Sequence, residues 1–330
     1  MSRILKYGEN AWQTPAYFDE TITDDPLAIA NFELVAGDAP SYNNICDLDR
    51  LLQTITHIAA GFDGNGHPVP HIAVGAKHGN ACGVGIGSAI TAAAVLRMLE
   101  GDPRAIMGGW VILNHPVDAL VADRLVHCGM SSLNRRLLDG VAAPEFSREA
   151  IDLLGRKKGK CRLMQNRSLA DLSASSLDQA ERFRYIRGGK LRQPNYAYVA
   201  QIKDVVREDI FDEVIVAWAV GSTSNSNTIT LVSGHKLIGN GVGQQDRVSA
   251  CQLAVKRAWA AGHDTLGAVA YSDSFFPFDD GPKVLVEAGI RAIMTSSASV
   301  NDNQVIDYCR SAGVDLIMIP DVVGRGFFGH

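Results

Sequence analysis

The chain of 330 residues has no apolar run approaching the roughly 18 residues that a membrane-spanning helix needs. Its first stretch, Met1–Gln13, carries no apolar signal core, so neither a membrane location nor secretion is expected, and a cytoplasmic protein is. There is no surplus of positive charge. With 31 Lys+Arg against 36 Asp+Glu the formal net charge is −5, which argues against a general nucleic-acid binder while leaving room for a local basic pocket. The six cysteines, Cys46, Cys82, Cys128, Cys161, Cys251 and Cys309, include no CxxC pair and show no clustered spacing with histidine. Six free thiols, mostly buried, and no metal site are expected. Short repeats and low-complexity tracts are missing too. What is present is an ordinary globular mix, 46% apolar and 20% charged, at a length suited to one large domain or two medium ones.

Hydrophobic periodicity alternates between strand-like and helix-like segments. Pro70–Ala76 reads as a buried strand, Ser88–Glu100 as a helix, Trp110–Leu113 as a strand and Pro116–Val126 as a helix. Further on, Asp246 can cap a helix over Val248–Ala261. Strands are expected at Leu266–Tyr271, Ala292–Thr295 and Val314–Ile319, and helices at Pro282–Ala288 and Asn303–Ala312. Thr228–Ile238, interrupted by Ser233-Gly234-His235, reads as a hairpin. The polar stretch Gln165–Asn195 fits a connector or an extended hairpin between two halves. The alternation predicts an α/β fold with a covered sheet.

Three segments could carry chemistry. Lys77-His78-Gly79-Asn80-Ala81-Cys82-Gly83 follows a predicted strand, where ligands of α/β sheets commonly sit. It sets a fixed cation beside an imidazole that titrates near neutrality. Its glycines, up to Gly87, permit close backbone approach and lead toward a helix start, an anion or carbonyl-oxygen site; the plainer reading is a glycine-rich turn. The second segment is the hydroxyl- and amide-rich Ser222–Thr228, followed by Gly239–Arg247, where glycines enter a helix bearing an arginine in its first turn. That suits a phosphate or carboxylate, or is simply a tight turn and cap. The third is Ser272–Asp280, whose Phe275, Phe276, Pro277 and Phe278 could form a slot for an aromatic ring or pack in the core. The terminal Phe327-Phe328-Gly329-His330 follows an apolar strand, which suggests a tucked tail.

Taken together, these segments, with Lys6–Asn10, Ser41–Ile45, Asp139–Pro144, Gly188–Gln193 and Ser226-Asn227, resemble in collinear order the transformylase domain of the bifunctional purine enzyme 5-aminoimidazole-4-carboxamide ribonucleotide (AICAR) formyltransferase/IMP cyclohydrolase. The resemblance implies two tandem cytidine-deaminase-like α/β/α subdomains with mixed sheets and no deaminase zinc. The first would cover 1–165 and the second 166–330, with a connector at about 166–197. It implies a homodimer with sites at the interface, and transfer of a formyl group from 10-formyltetrahydrofolate to the amine of AICAR in purine (IMP) biosynthesis. The cyclohydrolase domain is not expected here, nor ring closure to IMP.

Matched position by position, the resemblance makes Lys77, His78, Asn227 and His330 the catalytic set. Lys6, Tyr7, Gly108, Asp139, Arg247, Phe275 and Arg325 would bind the acceptor. Pro277, Phe278, Asp280 and Ser299 would hold the folate, and Ser224 and Asp273 fall near a monovalent-cation site, K+ for example, of some members. A ring-conjugated amine is a poor nucleophile that needs a base and an oxyanion partner; His78 suits the first role and Lys77 the second. Several positions depart from the family pattern. Lys6 replaces an arginine, keeping the charge without the bidentate fork. Ala81 replaces a proline, Ser296-Ser297-Ala298-Ser299 replaces a Pro-Gly-Gly-Ser loop, and Gly326 stands where a phosphate-binding arginine is expected, with Arg325 one place away. Three readings remain open: an AICAR formyltransferase, a formyltransferase with the same donor and another amine, phosphorylated or not, and a silent binding homologue. Retention of Lys77, His78, Asn227 and His330 weighs against the last.

Overall fold

A computed structural model describes residues 2–88, 92–131 and 134–329. A hairpin of β1 (Ser2–Leu5) and β2 (Ala16–Asp19) stands apart as its own two-stranded sheet, and β3 (Glu33–Ala36) follows. The first half then runs α1 (Tyr42–Gly64), β4 (His71–Lys77), β5 (Asn80–Gly87), α2 (Ala93–Gly101), β6 (Trp110–Leu113), α3 (Ala119–His127), β7 (Gly140–Ala143), α4 (Arg148–Leu154) and β8 (Arg162–Gln165). A second separate hairpin, β9 (Glu181–Ile186) and β10 (Gly189–Pro194), occupies the polar middle. The second half repeats the order of the first: α5 (Phe211–Ser222), β11 (Ile229–Ser233), β12 (Lys236–Gly241), α6 (Arg247–Ala260), β13 (Val269–Ser272), α7 (Asp280–Glu287), β14 (Ala292–Ser297), α8 (Asp302–Ser311) and β15 (Asp315–Pro320), closing with the short α9 (Asp321–Gly324).

All the strands of both halves join one mixed sheet of eleven, in the order β15-β14-β13-β11-β12-β5-β4-β6-β7-β8-β3. The halves meet where β12 runs antiparallel to β5, at Lys236 opposite Gly85. Side chains alternate across the sheet with the period of two that strands impose. On one face, Ile72, Val74, Ile112, Val232, Tyr271 and Met294 share a single core with α1 and α5. On the other, Ala73, Val111 and Val141 pack under α2, α3 and α4, while Leu231, Ala270 and Ile293 pack under α6, α7 and α8, as two separate cores.

Local chemistry sets the helix starts. Ser41 and Asn44 form a reciprocal capping box on α1, Asp118 caps α3 and Asp246 caps α6. The predicted helix over Ser88–Glu100 corresponds to α2, which starts later; residues 89–91 of that prediction lie outside the described residues. The predicted strand Leu266–Tyr271 shortens to β13, and Leu266 is exposed.

The glycine run after Lys77 is corrected outright. It is not a loop entering a helix but strand β5, and its glycines serve packing. A Cβ at Gly83 or Gly85 would run into the carbonyls of Met98 or Ala94 in α2, so only glycine lets helix and strand approach this closely. Gly239 and Gly241 of β12 stand in the same relation to Ala254 and Ala250 of α6.

Candidate active site

Register decides which loops meet. Ala76 opposes Trp110, Trp110 opposes Gly140, and Ile229 opposes both Ser272 and Gly241. Ser297 pairs with Pro320. One edge of the sheet therefore gathers the β4–β5 turn, the loops entering β6, β7 and β11, and the loops leaving β12, β13, β14 and β15. Every described residue matched to the site lies in these loops or at the strand or helix end that bounds one of them, except Lys6 and Tyr7. Those two follow β1 in the separate hairpin, whose turn is tied to α1 through the bond from Asn43 Nδ2 to the carbonyl of Glu9, 3.1 Å.

The β4–β5 turn is the centre of the first cluster. Lys77 Nζ donates to the carbonyl of Met107 at 2.7 Å, which holds the ammonium beside Gly108. His78 adopts a left-handed backbone (φ 53°), uncommon for a residue with a side chain. The next amide, Gly79 N–H, donates to Asp47 Oδ1 at 2.8 Å. Asp47, on α1, is the group that sequence reading missed. Burial raises its carboxyl above the ordinary value and the nearby Asp139 adds to the rise, while the Gly79 amide and the charges of His78 and Lys77 oppose it. Lys77, His78, Gly108 and Asp139 are thus brought together around Asp47. Cysteine chemistry is not on offer nearby, because burial pushes the Cys46 thiol up to about 11 and Cys82 up to about 12.

The second cluster lies along the same edge. Arg247, in the first turn of α6, pairs with the buried Asp273. Arg325 forks onto Asp321 (2.9 and 3.0 Å), and its guanidinium lies 5.4 Å from the ring centre of Phe275. Asp321 also accepts from Ser296 Oγ at 2.6 Å. Asn301 joins the folate-matched positions, since its amide donates to the carbonyl of Pro277 (2.7 Å) and its backbone N–H to Ser299 Oγ (3.1 Å). The three phenylalanines do not form one slot. Phe276 belongs to the core with its ring against Gly281, Phe275 is half-buried, and Phe278 is exposed beside Pro277. Asp280 opens α7, where it accepts from the Gly281 amide.

Between the clusters lies the Ser224–Asn227 loop. Asn227 Nδ2 donates to the carbonyl of Gln244 at 2.9 Å, and the backbones of the two residues bond to each other in both directions. The Asn225 backbone N–H donates to Asn80 Oδ1 at 3.4 Å, linking this loop to the Lys77-His78 turn. The tail is held against it. Phe328 N–H donates to Ser224 O (2.9 Å), Ser226 N–H to Gly329 O (3.0 Å), and the Phe328 ring is gripped between the guanidinium groups of Arg50 (4.1 Å) and Arg182 (3.5 Å). His330 lies outside the described residues, but the tail that carries it is seated on the Asn225–Asn227 loop. Arg50, Arg182 and Asp321 had no signal in the sequence, because each acts through a partner more than 20 residues away or at a loop whose path is set by the sheet.

The chain matches the model of the AICARFT/IMPCHase bienzyme family over residues 1–257, and it belongs to that family. It is 33% identical over 326 residues to the bifunctional purine biosynthesis protein PurH of Oceanobacillus iheyensis, covering 95% of this chain and 57% of that protein. It is 34% identical to PurH of Cutibacterium acnes, covering 96% and 57%. The chain thus spans somewhat more than half the length of these curated relatives, the share that a formyltransferase domain alone would occupy. Among solved structures, the deaminase/reductase of Thermotoga maritima that acts on diaminohydroxyphosphoribosylaminopyrimidine is 20% identical over 29% of this chain and 31% of that one, with a TM-score of 0.24. A likeness of that size bears no weight here. No helix among the described residues is long and apolar enough to cross a membrane.

Proposed function

We propose that the chain transfers a formyl group from 10-formyltetrahydrofolate to the amine of AICAR. The observation that carries this reading is the Lys77-His78 turn, held by Asp47 and by the Met107 carbonyl on the edge that also carries Asn227 and the Pro277–Asn301–Ser299 link. The amine nitrogen attacks the formyl carbon, His78 takes the proton that leaves the amine, and Lys77 stabilises the oxyanion. Collapse breaks the bond to N10 of the folate, and that nitrogen receives the proton. Asn227, fixed by Gln244, orients the acceptor, and His330 completes the set. The folate would lie across Pro277, Phe278, Asp280 and Ser299.

Three further parts belong to this reading. Each half is a cytidine-deaminase-like subdomain, 1–165 and 166–330, which the repeated element order supports. The active unit is a homodimer, in keeping with the two isolated hairpins that expose Ile4, Phe183, Tyr185 and Leu191. A monovalent cation such as K+ sits by Ser224 and Asp273. The buried Asp273 Oδ2, which has no hydrogen-bond partner among the described residues, fits such an ion.

A second reading keeps the donor and changes the acceptor. Arg247 and Arg325, both matched to acceptor binding, are already neutralised by Asp273 and Asp321 within the chain. The deciding experiment incubates the protein with 10-formyltetrahydrofolate and either AICAR or its nucleoside, following formation of tetrahydrofolate. Formylation of AICAR supports the first reading, equal formylation of the nucleoside favours the second, and no transfer to either overturns the first.

A further inference from the structure

The β9–β10 hairpin takes no part in the main sheet, since its two strands pair only with each other. From Glu181 to Pro194 its residues are exposed with one exception, Arg182. That guanidinium holds a single residue of the tail in two ways. It lies 3.5 Å from the centre of the Phe328 ring, and its Nη1 donates to the Phe328 carbonyl at 2.9 Å, a cation–π contact and a charge-assisted bond together. The chain leaving the hairpin adds a second hold. Tyr196, just past β10, has a buried hydroxyl, and its ring stacks on that of His57 in α1 (5.4 Å). A Cβ on Gly326 would run into this hydroxyl, so the tail lies directly against it. Both legs of the hairpin therefore meet the tail.

The body of the molecule holds the tail as well. Arg50 of α1 also lies over the Phe328 ring, at 4.1 Å, and donates to the Thr223 carbonyl and to Asn225 Oδ1 (3.3 Å) in the loop that leads to Asn227. Gly329 packs so closely on this loop that a Cβ there would meet Asn225 Oδ1. Burial raises the Asp49 carboxyl, and the charges of Arg50 and Arg182 oppose the rise, so the two guanidinium groups have a counter-charge on α1. The two grips differ in footing: Arg50 is buried in the central helix, whereas Arg182 stands on a hairpin outside the sheet. An arginine that merely covered an apolar ring would leave the Phe328 carbonyl to solvent; here one side chain takes both.

We infer that the β9–β10 hairpin is a clasp for the tail, with Arg182 as the positioning residue that keeps Phe328, and through it the Asn225–Asn227 loop, in the arrangement used for formyl transfer. The inference rests on the reading of Asn227 and His330 as catalytic. Arg182 acts through Phe328 and not on the reactants. The test compares the wild type with R182Q, R182K and, as a control at the tip of the same hairpin, R187Q. Deuterium exchange of the tail peptide is expected to quicken about tenfold or more in R182Q, to stay near the wild type in R182K and to be unchanged in R187Q. With 10-formyltetrahydrofolate and AICAR, R182Q should lower kcat by roughly 10–100-fold with KM within about threefold, and R182K should recover most of the loss. In an H330A background R182Q should cost no more than about twofold, since both changes disable the same tail. Should R182Q lose its fold, G326A carries the test, because it forces the tail off Tyr196 while leaving both arginines, and it should quicken tail exchange in the same way. Tail exchange in R182Q equal to the wild type overturns the inference, as does a loss of turnover that is as large in the H330A background as without it. Exchange separates the clasp from the activity. If the wild type forms no formylated product, a tail loosened by R182Q and not by R187Q still supports the clasp, and a tail unchanged by both overturns it.

Discussion

The β4–β5 and β11–β12 hairpins hold the same place in the two halves, and their difference shows what makes a turn available for chemistry. Both are built by glycines that let a helix lie directly on the second strand, Gly83 and Gly85 under α2, Gly239 and Gly241 under α6. Both carry a histidine in the left-handed region, His78 at φ 53° and His235 at φ 62°. Their surroundings diverge. Around the second turn the polar groups are matched: His235 faces Asp212 at 3.3 Å, Gly234 N–H donates to Glu213 at 2.7 Å, and Lys236 pairs with Glu100 at 2.6 Å. Among the described residues, Lys77 in the first turn meets only a neutral carbonyl, the His78 ring has no hydrogen bond, and the carboxylate of Asp47 accepts a backbone amide instead of forming an ion pair with either. The hairpin's shape comes from glycine packing, while its chemistry depends on which charges are left unneutralised. Because β12 and β5 run antiparallel, the two turns point to opposite edges of the sheet, so only one of them meets the other loops of the site.

The most direct way to break this comparison is to remove both imidazoles in turn. His78→Ala is expected to lower kcat by roughly 10²–10⁴-fold, the usual worth of a positioned acid–base group, and His235→Ala to leave it within about twofold. Equal losses in a folate turnover assay would dissolve the distinction. The cations come next. Lys77→Ala should reduce kcat by about 10²–10³-fold with a smaller change in KM, whereas Lys236→Ala removes a partly exposed ion pair worth at most about 1 kcal/mol of stability and leaves turnover alone. The smallest effect is on stability. Burial holds His57 and His115 of the first half down to about 4, and His115 is stacked on His71 at 4.4 Å. Since their folded values lie below the unfolded value near 6.5, the stability they contribute is complete above that pH and is lost as the pH falls toward 4. Thermal midpoints measured from pH 7 to 4.5 should decline by the equivalent of about 1–3 kcal/mol. His57→Gln and His115→Gln should flatten the decline and His235→Gln should not; a slope unchanged in all three would refute it.

Much of the second half was readable because its elements obey local rules. Asp246 caps α6, Ala292–Thr295 lies within β14, Val314–Ile319 matches β15 to within one residue at each end, and the pause at Ser233-Gly234-His235 is the hairpin turn. The largest omission is α1. Its middle, from Leu48 to Phe62, is buried on nearly every side except at Asp49, and Arg50, Gln53, Thr54, Thr56 and His57 are buried with the apolar residues. No polar face marks such a helix in sequence. Losing α1 also hid Asp47 and Arg50, which shape the site from 32 and 173 residues away. The glycines misled for a related reason: glycine reports that something comes close, and sequence alone does not say whether it is a ligand or a neighbouring helix. The pairing of Arg247 with Asp273 is equally invisible, since it depends on β11, β12 and β13 being neighbours in the sheet.

The single core under α1 and α5 has a consequence for a broken chain. Arg187 and the glycines after it form the fully exposed tip of the β9–β10 hairpin, remote from that core and open to trypsin. One cut there leaves two polypeptides whose apolar surfaces are buried against each other across the whole shared face. On a denaturing gel the nicked protein would run as two fragments, while on a native sizing column it would elute as the uncut protein does. Neither fragment, made alone, would have anything but water to cover the face it normally presents to the other, and each would be recovered in inclusion bodies rather than in solution.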